Sequence, residues 1–296
     1  MGKYLKKFST DSARVEYEGS ENYIEPYVSY VEVDNTVHYN KPETRLIVKY
    51  NVTDTSNPTP LFVGAESVGF PASAIYDKIE IDNVEIDMSN LSSSEQEGMT
   101  VYSYGFTSGG QHTVKYTLKD PTVIGAEFDE ETGMPSKIGA TFVRCPITSV
   151  EIPNSVTSIG NSAFGNCGSL TNVTIPDSIT SIGNASFCNC SGLTSIVMPD
   201  SVTSIGMDAF FGCNSITSCI IGNGVTRIDN RAFRDCFSLT SVTVEATTPP
   251  TLGSSAFSNT NNCPIYVPSA SVETYKAASG WSSYASRIHE IGEGIR

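Results

Sequence analysis

Leu170-Thr171-Asn172-Val173-Thr174-Ile175 decides the fold, because the same pattern returns every 23 residues. Its copies begin at Ile147, Leu170, Leu193, Ile216 and Leu239. Other columns keep the same step: Phe164, Phe187, Phe210 and Phe233; Cys167, Cys190, Cys213 and Cys236; Ile159, Ile182, Ile205 and Ile228. A fixed period of this length predicts a solenoid, in which one coil cannot bury its apolar side without its neighbours.

Within a coil the side chains sort themselves. In Leu193 to Ser215, strand alternation turns Leu193, Ile196 and Met198 inward and Ser195 and Val197 outward. Pro199 ends the strand, since proline cannot donate to a ladder. Gly206 permits a bend into the second arm, and Phe210 and Cys213 close the coil. The outward positions are Asn172, Thr174, Ser195, Val197, Ser218, Ile220, Ser241 and Thr243, preceded by Ser149 and Glu151. They form the candidate ligand-binding face, a shallow site for a glycan or an extended protein segment. The plain alternative is a solvated sheet face. Without aromatic or arginine anchors, each site binds weakly, so multivalency has to supply avidity. The variable arms, with Asn189, Asp208, Arg231, Arg234 and Asp235, are an equal candidate.

The recurring Leu-Thr-x-Val-x-Ile-Pro-x-Ser-Val-Thr-x-Ile-Gly-x-x-Ala-Phe-x-x-Cys resembles the BspA-like (Treponema pallidum-type) leucine-rich repeat over residues 147–265. That resemblance implies a curved, non-catalytic solenoid used for adhesion to cells, matrix proteins or other surfaces.

Around the regular array, 147–248, the ends are altered. Ile138-Gly139, Phe142 and Cys145 echo a shortened first coil within 124–146, and Glu127 to Glu131 read as a polar edge that blocks further stacking. Residues 249–296 form the last coil and a C-terminal cap. Pro249-Pro250 add a residue, Leu252 replaces the isoleucine, and Phe257 comes one position late. Ile265 to Pro268 is a final strand. Ser271 to Ala278 fits a short helix, with Ser269 or Ser271 as N-cap and Gly280 as its stop. Trp281 serves as packing or as a sugar platform.

Residues 42–123 alternate as short strands at Leu46–Tyr50, Lys78–Asp87, Val101–Phe106 and Thr113–Leu118, with turns at Asp82-Asn83 and Ser108-Gly109-Gly110 and a loop over Asn51–Pro60. They predict a small, immunoglobulin-like β-sandwich. Glu80, Asp82, Glu85 and Asp87 read as the solvated face of a hairpin, or as a calcium site whose spacing departs from an EF-hand. Residues 1–41 contain a hairpin, Val28–Val33 and Thr36–Tyr39 about Asp34-Asn35. Tyr4 to Phe8, Pro26 to Tyr30 and Val37 to Asn40 resemble the N-terminal segment of structural proteins of phages of gut Bacteroidetes. That resemblance implies attachment to other virion proteins and assembly in the host cytoplasm.

The charge is −14. Residues 1–144 carry 22 acids against 12 bases, and residues 145–296 carry 10 against 6. Nothing here attracts a phosphate backbone, so nucleic-acid binding is not expected. Nor is membrane insertion, since no apolar run approaches the ~18 residues a span requires. The first residues carry lysines without an apolar run behind them, unlike a secretory signal. The column cysteines read as buried free thiols, with a disulfide framework or a metal site at Cys188-Asn189-Cys190 as alternatives. His38, His112 and His289 lie far apart, and no nucleophile elbow or P-loop is present. No catalytic, cofactor or metal site is therefore expected. Two non-catalytic settings follow: a virion fibre or decoration protein, plausibly trimeric, whose repeats touch a bacterial surface or gut glycan, and a bacterial cell-surface adhesin. A glycan-active enzyme is a third reading, without a defined acid pair to carry it.

Overall fold

The computed structural model describes residues 45–63, 76–96, 99–118, 122–128, 135–138 and 141–292, together with five short strands between residues 4 and 39. The chain forms two compact units, 1–44 and 45–296. In the first, β1 (Tyr4–Lys7), β2 (Ala13–Tyr17) and β3 (Ser20–Tyr23) make an antiparallel sheet. β4 (Tyr30–Val33) and β5 (Thr36–Tyr39) make the expected hairpin, with Val33 opposite Thr36. Its turn pair, Asp34-Asn35, lies outside the described residues.

The second unit opens with β6 (Arg45–Val52), β7 (Thr59–Val63), β8 (Tyr76–Ile81), β9 (Val84–Glu85), β10 (Ser92–Gln96), β11 (Met99–Tyr104) and β12 (Gly110–Leu118). Alternation buries Leu46, Val48, Tyr50 and Val52 on one side of β6. β12 lies between β6 and β8, and β11 lies between β10 and β7. Phe62 joins the two layers, 4.7 Å from Tyr76 and 5.9 Å from Tyr116 between ring centroids. The buried hydroxyls of Tyr50 and Tyr116 both donate to the Leu61 carbonyl. Two layers were expected, but the pairing is not that of an immunoglobulin domain. There the first, second, fourth and fifth strands share a sheet; here the first strand, β6, lies beside the last, β12. The segment Asn51–Pro60, expected to be a loop, gives its first two residues to β6 and its last two to β7.

Each acid of the Glu80–Asp87 hairpin has a partner within the β unit. Glu80 and Glu85 pair with Lys78, and the Asp87 carboxylate accepts the Ser89 amide at 2.9 Å. Asp82 accepts the Thr113 amide at 2.9 Å and lies 2.7 Å from His112 Nδ1, while His112 Nε2 lies 2.9 Å from the Ser108 carbonyl. Burial works to lower the His112 pKa, but the Asp82 carboxylate and the Ser108 carbonyl outweigh it, so the net shift is upward. Burial works to raise the Asp82 pKa, and the Thr113 amide and His112 outweigh it, so that shift is downward. A raised histidine pKa stabilises the fold fully below its unfolded value of about 6.5 and stops doing so as pH rises through the folded value. The lowered aspartate contributes above about 3.9 and is lost in acid. The pair therefore contributes most between about pH 4 and 6.5. Melting temperature is expected to fall from pH 6 to pH 8 more steeply in the native protein than in a His112→Gln variant. Parallel profiles for the two proteins would refute this linkage.

The β unit is joined to the array by hydrogen bonds. β13 (Val123–Ile124), β14 (Ala126–Phe128) and β15 (Pro135–Ile138) lead into the first face strand, β16 (Ile147–Glu151). β16 pairs antiparallel with β6, Val150 opposite Val48, and parallel with β18 (Asn172–Thr174). One sheet thus crosses the boundary expected at 123/124. On the other side of the coil, β13 pairs with β17 (Ser158–Ile159), which places Ile124-Gly125 in the Ile-Gly column. The expected occupant of that place is Ile138-Gly139; Ile138 instead lies in β15, which pairs antiparallel with β14, and Gly139 lies outside the described residues. Phe142 keeps its expected place, 5.6 Å from Phe164. Its other side meets the edge of Tyr116 at 5.4 Å. Tyr116 thus gives the apolar end of the phenylalanine stack an apolar cover; of the expected polar edge, Glu127 and Phe128 lie in β14, and Asp129, Glu130 and Glu131 lie outside the described residues.

From there the coils repeat. The face strands continue as β20 (Ser195–Met198), β22 (Ser218–Ile221), β24 (Ser241–Val244), β26 (Ile265–Val267) and β27 (Ile288–Glu290). The second arms carry β19 (Ser181–Ile182), β21 (Ser204–Ile205), β23 (Arg227–Ile228) and β25 (Thr251–Leu252). Phe164, Phe187, Phe210, Phe233 and Phe257 stack at 5.2, 5.2, 5.1 and 5.3 Å. All eight cysteines are free, and the column members are buried. Their thiols do more than fill space: Cys190 donates to the carbonyl of Phe164, Cys213 to Phe187 and Cys236 to Phe210, at 3.1, 3.1 and 3.2 Å. Burial pushes the Cys190 and Cys236 pKa values up to about 12, which keeps the donating proton in place. Thr171, Thr194, Thr217 and Thr240 form a hydroxyl ladder, each donating to the carbonyl one coil back.

The glycine column serves close approach. Gly183 and Gly206 do not adopt the left-handed conformation. A Cβ on Gly183 would lie 2.6 Å from the Gly160 carbonyl carbon and 2.7 Å from the Asn161 nitrogen. Gly183→Ala is expected to cost about 1–3 kcal/mol by forcing two coils apart. A melting temperature equal to that of the native protein would contradict this contact.

The far end is closed by α1 (Val272–Ala277), a 3-10 turn over Trp281–Arg287, and β27. Trp281 is fully buried, so it is packing, and its indole nitrogen donates to the Pro250 carbonyl at 2.7 Å. The Ser271 hydroxyl does not cap the helix; it donates to the Thr247 carbonyl at 2.7 Å. Arg287 donates to the Phe257 carbonyl at 3.2 Å and to the Cys263 carbonyl at 2.8 Å. The Phe257 carbonyl is the acceptor that the thiol of a further coil would have met. Among the described residues no helix is long and apolar enough to cross a membrane.

Candidate ligand-binding strand face

Alternation along the face strands produces two outward columns. One runs Asn172, Ser195, Ser218 and Ser241. The other runs Thr174, Val197, Ile220 and Thr243, and continues in register to Tyr266 and His289. Six of the eight residues expected to face outward therefore share one sheet face, and Asn172 and Thr174 stand on β18, at the edge of the sheet it forms with β16 and β6. Asn172, Thr174, Ser195 and Val197 are exposed, while Ser218, Ser241 and Thr243 are half-buried. Val197 and Ile220 stand side by side, 53% and 37% exposed, as an aliphatic pair among polar neighbours.

An open groove of about 760 Å3 crosses this face. Asn172, Thr174, Ser195, Val197 and Ile220 line it; Ser218, Ser241 and Thr243 do not. It also takes in Asp177, Asp200, Ser201 and Glu245, which lie just past the ends of the face strands. The sequence shows Asp177 and Asp200 directly after Pro176 and Pro199, but nothing local says that these turns rise beside the strand face.

The groove lies where the ladder is interrupted. β18 is registered with β16, and β20 with β22, but among the described residues no registered pairing joins β18 to β20. In the next two coils Gly222 and Glu245 donate to the carbonyls of Met198 and Ile221, at 3.0 and 2.9 Å. Pro199 has no N–H to give to Ile175, but Pro176 stands at the same position one coil back and β18 is still registered with β16, so proline does not by itself open the ladder.

The variable arms are engaged with one another. Arg231 binds both oxygens of Asp208, at 2.8 and 2.6 Å, Arg234 lies 3.7 Å from Asp235, and Asn189 donates to Asn166 at 3.1 Å. The Arg231–Asp208 and Asn189–Asn166 contacts tie successive coils together, whereas Val197 and Ile220 on the strand face point away from the core. Among the described residues, no three His, Cys, Asp or Glu side chains group as metal ligands would.

The repeated strand, bend and closing Phe-Cys arm, stacked in parallel, define a leucine-rich-repeat solenoid. The family model of the BspA type leucine rich repeat region matches residues 137–264 in six copies. No curated protein matches the chain. Among solved structures, a leucine-rich repeat protein of T. pallidum is 28% identical over 38% of this chain and 53% of its own, with a TM-score of 0.35. One from Bacteroides ovatus is 23% identical over 62% and 59%, with a TM-score of 0.34. A leucine rich cell surface protein from Faecalibacterium prausnitzii is 26% identical over 62% and 54%, also at 0.34. The chain thus spans little more than half the length of each of these proteins. Leucine-rich-repeat arrays are in general binding surfaces rather than catalytic ones.

Proposed function

We propose that the protein is a non-catalytic adhesin of a bacterial cell surface, and that the strand face of its array makes the contact. The observation that carries this reading is the groove beside the exposed Val197–Ile220 pair. The BspA-type match over residues 137–264 supports a cell-surface setting over a virion. The virion setting rests on the resemblance within residues 4–40 alone. Each groove is shallow, so adhesion depends on many copies acting together. Beads coated with the full chain, offered to bacterial and epithelial cells, test this. Beads carrying the double variant Val197→Arg/Ile220→Arg are expected to lose at least about tenfold in bound cells, roughly 1.4 kcal/mol. Equal adhesion by native and variant beads would remove the strand face from the contact.

A further inference from the structure

We infer that the strand-face groove takes an extended basic polypeptide, with an aliphatic side chain next to its lysines or arginines. This rests on the strand-face reading above and names its ligand class. Three features of the groove point the same way. Its apolar part is aliphatic: Val197 and Ile220 offer adjoining surface that gains by being covered, at roughly 25 cal/mol per Å2. Its rim is anionic: Asp177, Asp200 and Glu245 line it, and no lysine or arginine does. The Asn223 amide holds one oxygen of Asp200 at 2.9 Å, which fixes that carboxylate. Asp177 and Asp200 occupy equivalent positions on successive coils and line the same groove, so one ammonium or guanidinium group can meet both.

The third feature is the polar lining. Asn172, Thr174 and Ser195 offer donors and acceptors, and the main chain of an extended peptide brings both kinds. The Ser201 hydroxyl, in the groove lining, is also buried without a hydrogen-bond partner. A neutral sugar fits this groove less well, because its apolar surface has no aromatic ring on which a sugar can stack. The net charge of −14 adds long-range attraction for a cationic partner.

The test uses the full chain and fluorescence anisotropy at low salt. The probe is a labelled twelve-residue peptide of Lys, Val and Ser, with a counterpart carrying Glu for Lys. The exposed pair Asp177→Asn/Asp200→Asn keeps shape and hydrogen bonding, so matching thermal melts check the fold. This variant is expected to bind the lysine peptide at least about tenfold more weakly, roughly 1.4 kcal/mol. A charge-matched control, Asp54→Asn/Glu273→Gln, changes affinity less than about twofold, and the glutamate peptide does not bind. Equal losses in the two double variants would reduce the effect to bulk charge and overturn the inference. So would binding unchanged by Asp177→Asn/Asp200→Asn, or a neutral oligosaccharide whose binding the Val197→Arg/Ile220→Arg variant abolishes and the asparagine pair does not. The last result would leave the strand face as the contact and replace only its ligand. If that arginine variant also adheres like the native protein, the strand-face reading falls as well.

Discussion

Replacing Phe210 with alanine is expected to lower the unfolding free energy by about 3–5 kcal/mol. The side chain is fully buried, with rings on both sides at 5.2 and 5.1 Å. The size of the effect follows from how little the site can collapse. The Phe210 amide donates to the Ala232 carbonyl at 2.7 Å, and its own carbonyl accepts the Cys236 thiol at 3.2 Å. The backbone of the coil is therefore held at the height set by its neighbours, and the space left by the ring stays open. Urea denaturation measures the loss. The double variant Phe187→Ala/Phe210→Ala should cost less than the two single changes added together, since one lost contact is counted in both. A cost below about 1 kcal/mol, with an unchanged denaturant slope, would mean that the ring stack contributes far less than its burial implies.

Trp281→Ala is expected to cost a similar amount, about 3–5 kcal/mol, but with a different distribution. Trp281 closes the last coil: its indole donates to the Pro250 carbonyl, and its ring lies 4.9 Å from Tyr275 and 6.0 Å from Phe257. In a solenoid each coil is stabilised by its neighbours, so loss of a terminal cover frays the nearest coils first. Hydrogen exchange should accelerate at Thr251, Gly253 and Phe257 while β6 and β12 keep their protection. Trp281→Phe keeps most of the buried area and leaves the Pro250 carbonyl without its donor, for about 1–2 kcal/mol. Uniform acceleration along the whole array after Trp281→Ala would show that the cap acts globally and would refute the fraying picture.

Much of the architecture was legible because a solenoid contacts copies of itself. Leu193, Ile196 and Met198 could be assigned inward, and Ser195 and Val197 outward, from one coil. Five copies of that coil then carried the assignment along the chain. Trp281 could be read as packing by its place after the last coil. The start of the array was misread for the converse reason. Ile138-Gly139 looks like the column from its local pattern, but Ile124-Gly125 occupies it, because strand pairing with Ser158-Ile159 decides the matter. The Gly206 column was assigned to a bend, whereas the approach of adjacent coils requires it. The outward positions of the strand face were legible, yet the carboxylates at the ends of its strands were not. Asp177, Asp200 and Glu245 follow the strand ends, and only the stacking of coils 23 residues apart brings them to one groove.

The sequence by itself determined the period, the solenoid, the two outward columns and the buried thiol column, since each depends on alternation or on a repeat seen several times. Only the tertiary structure decided how β6 covers the first coil, where the thiol protons go, how Arg287 completes the last coil, and where the ladder opens. Each of those depends on contacts made once, or between backbones, and a side-chain pattern carries no record of them.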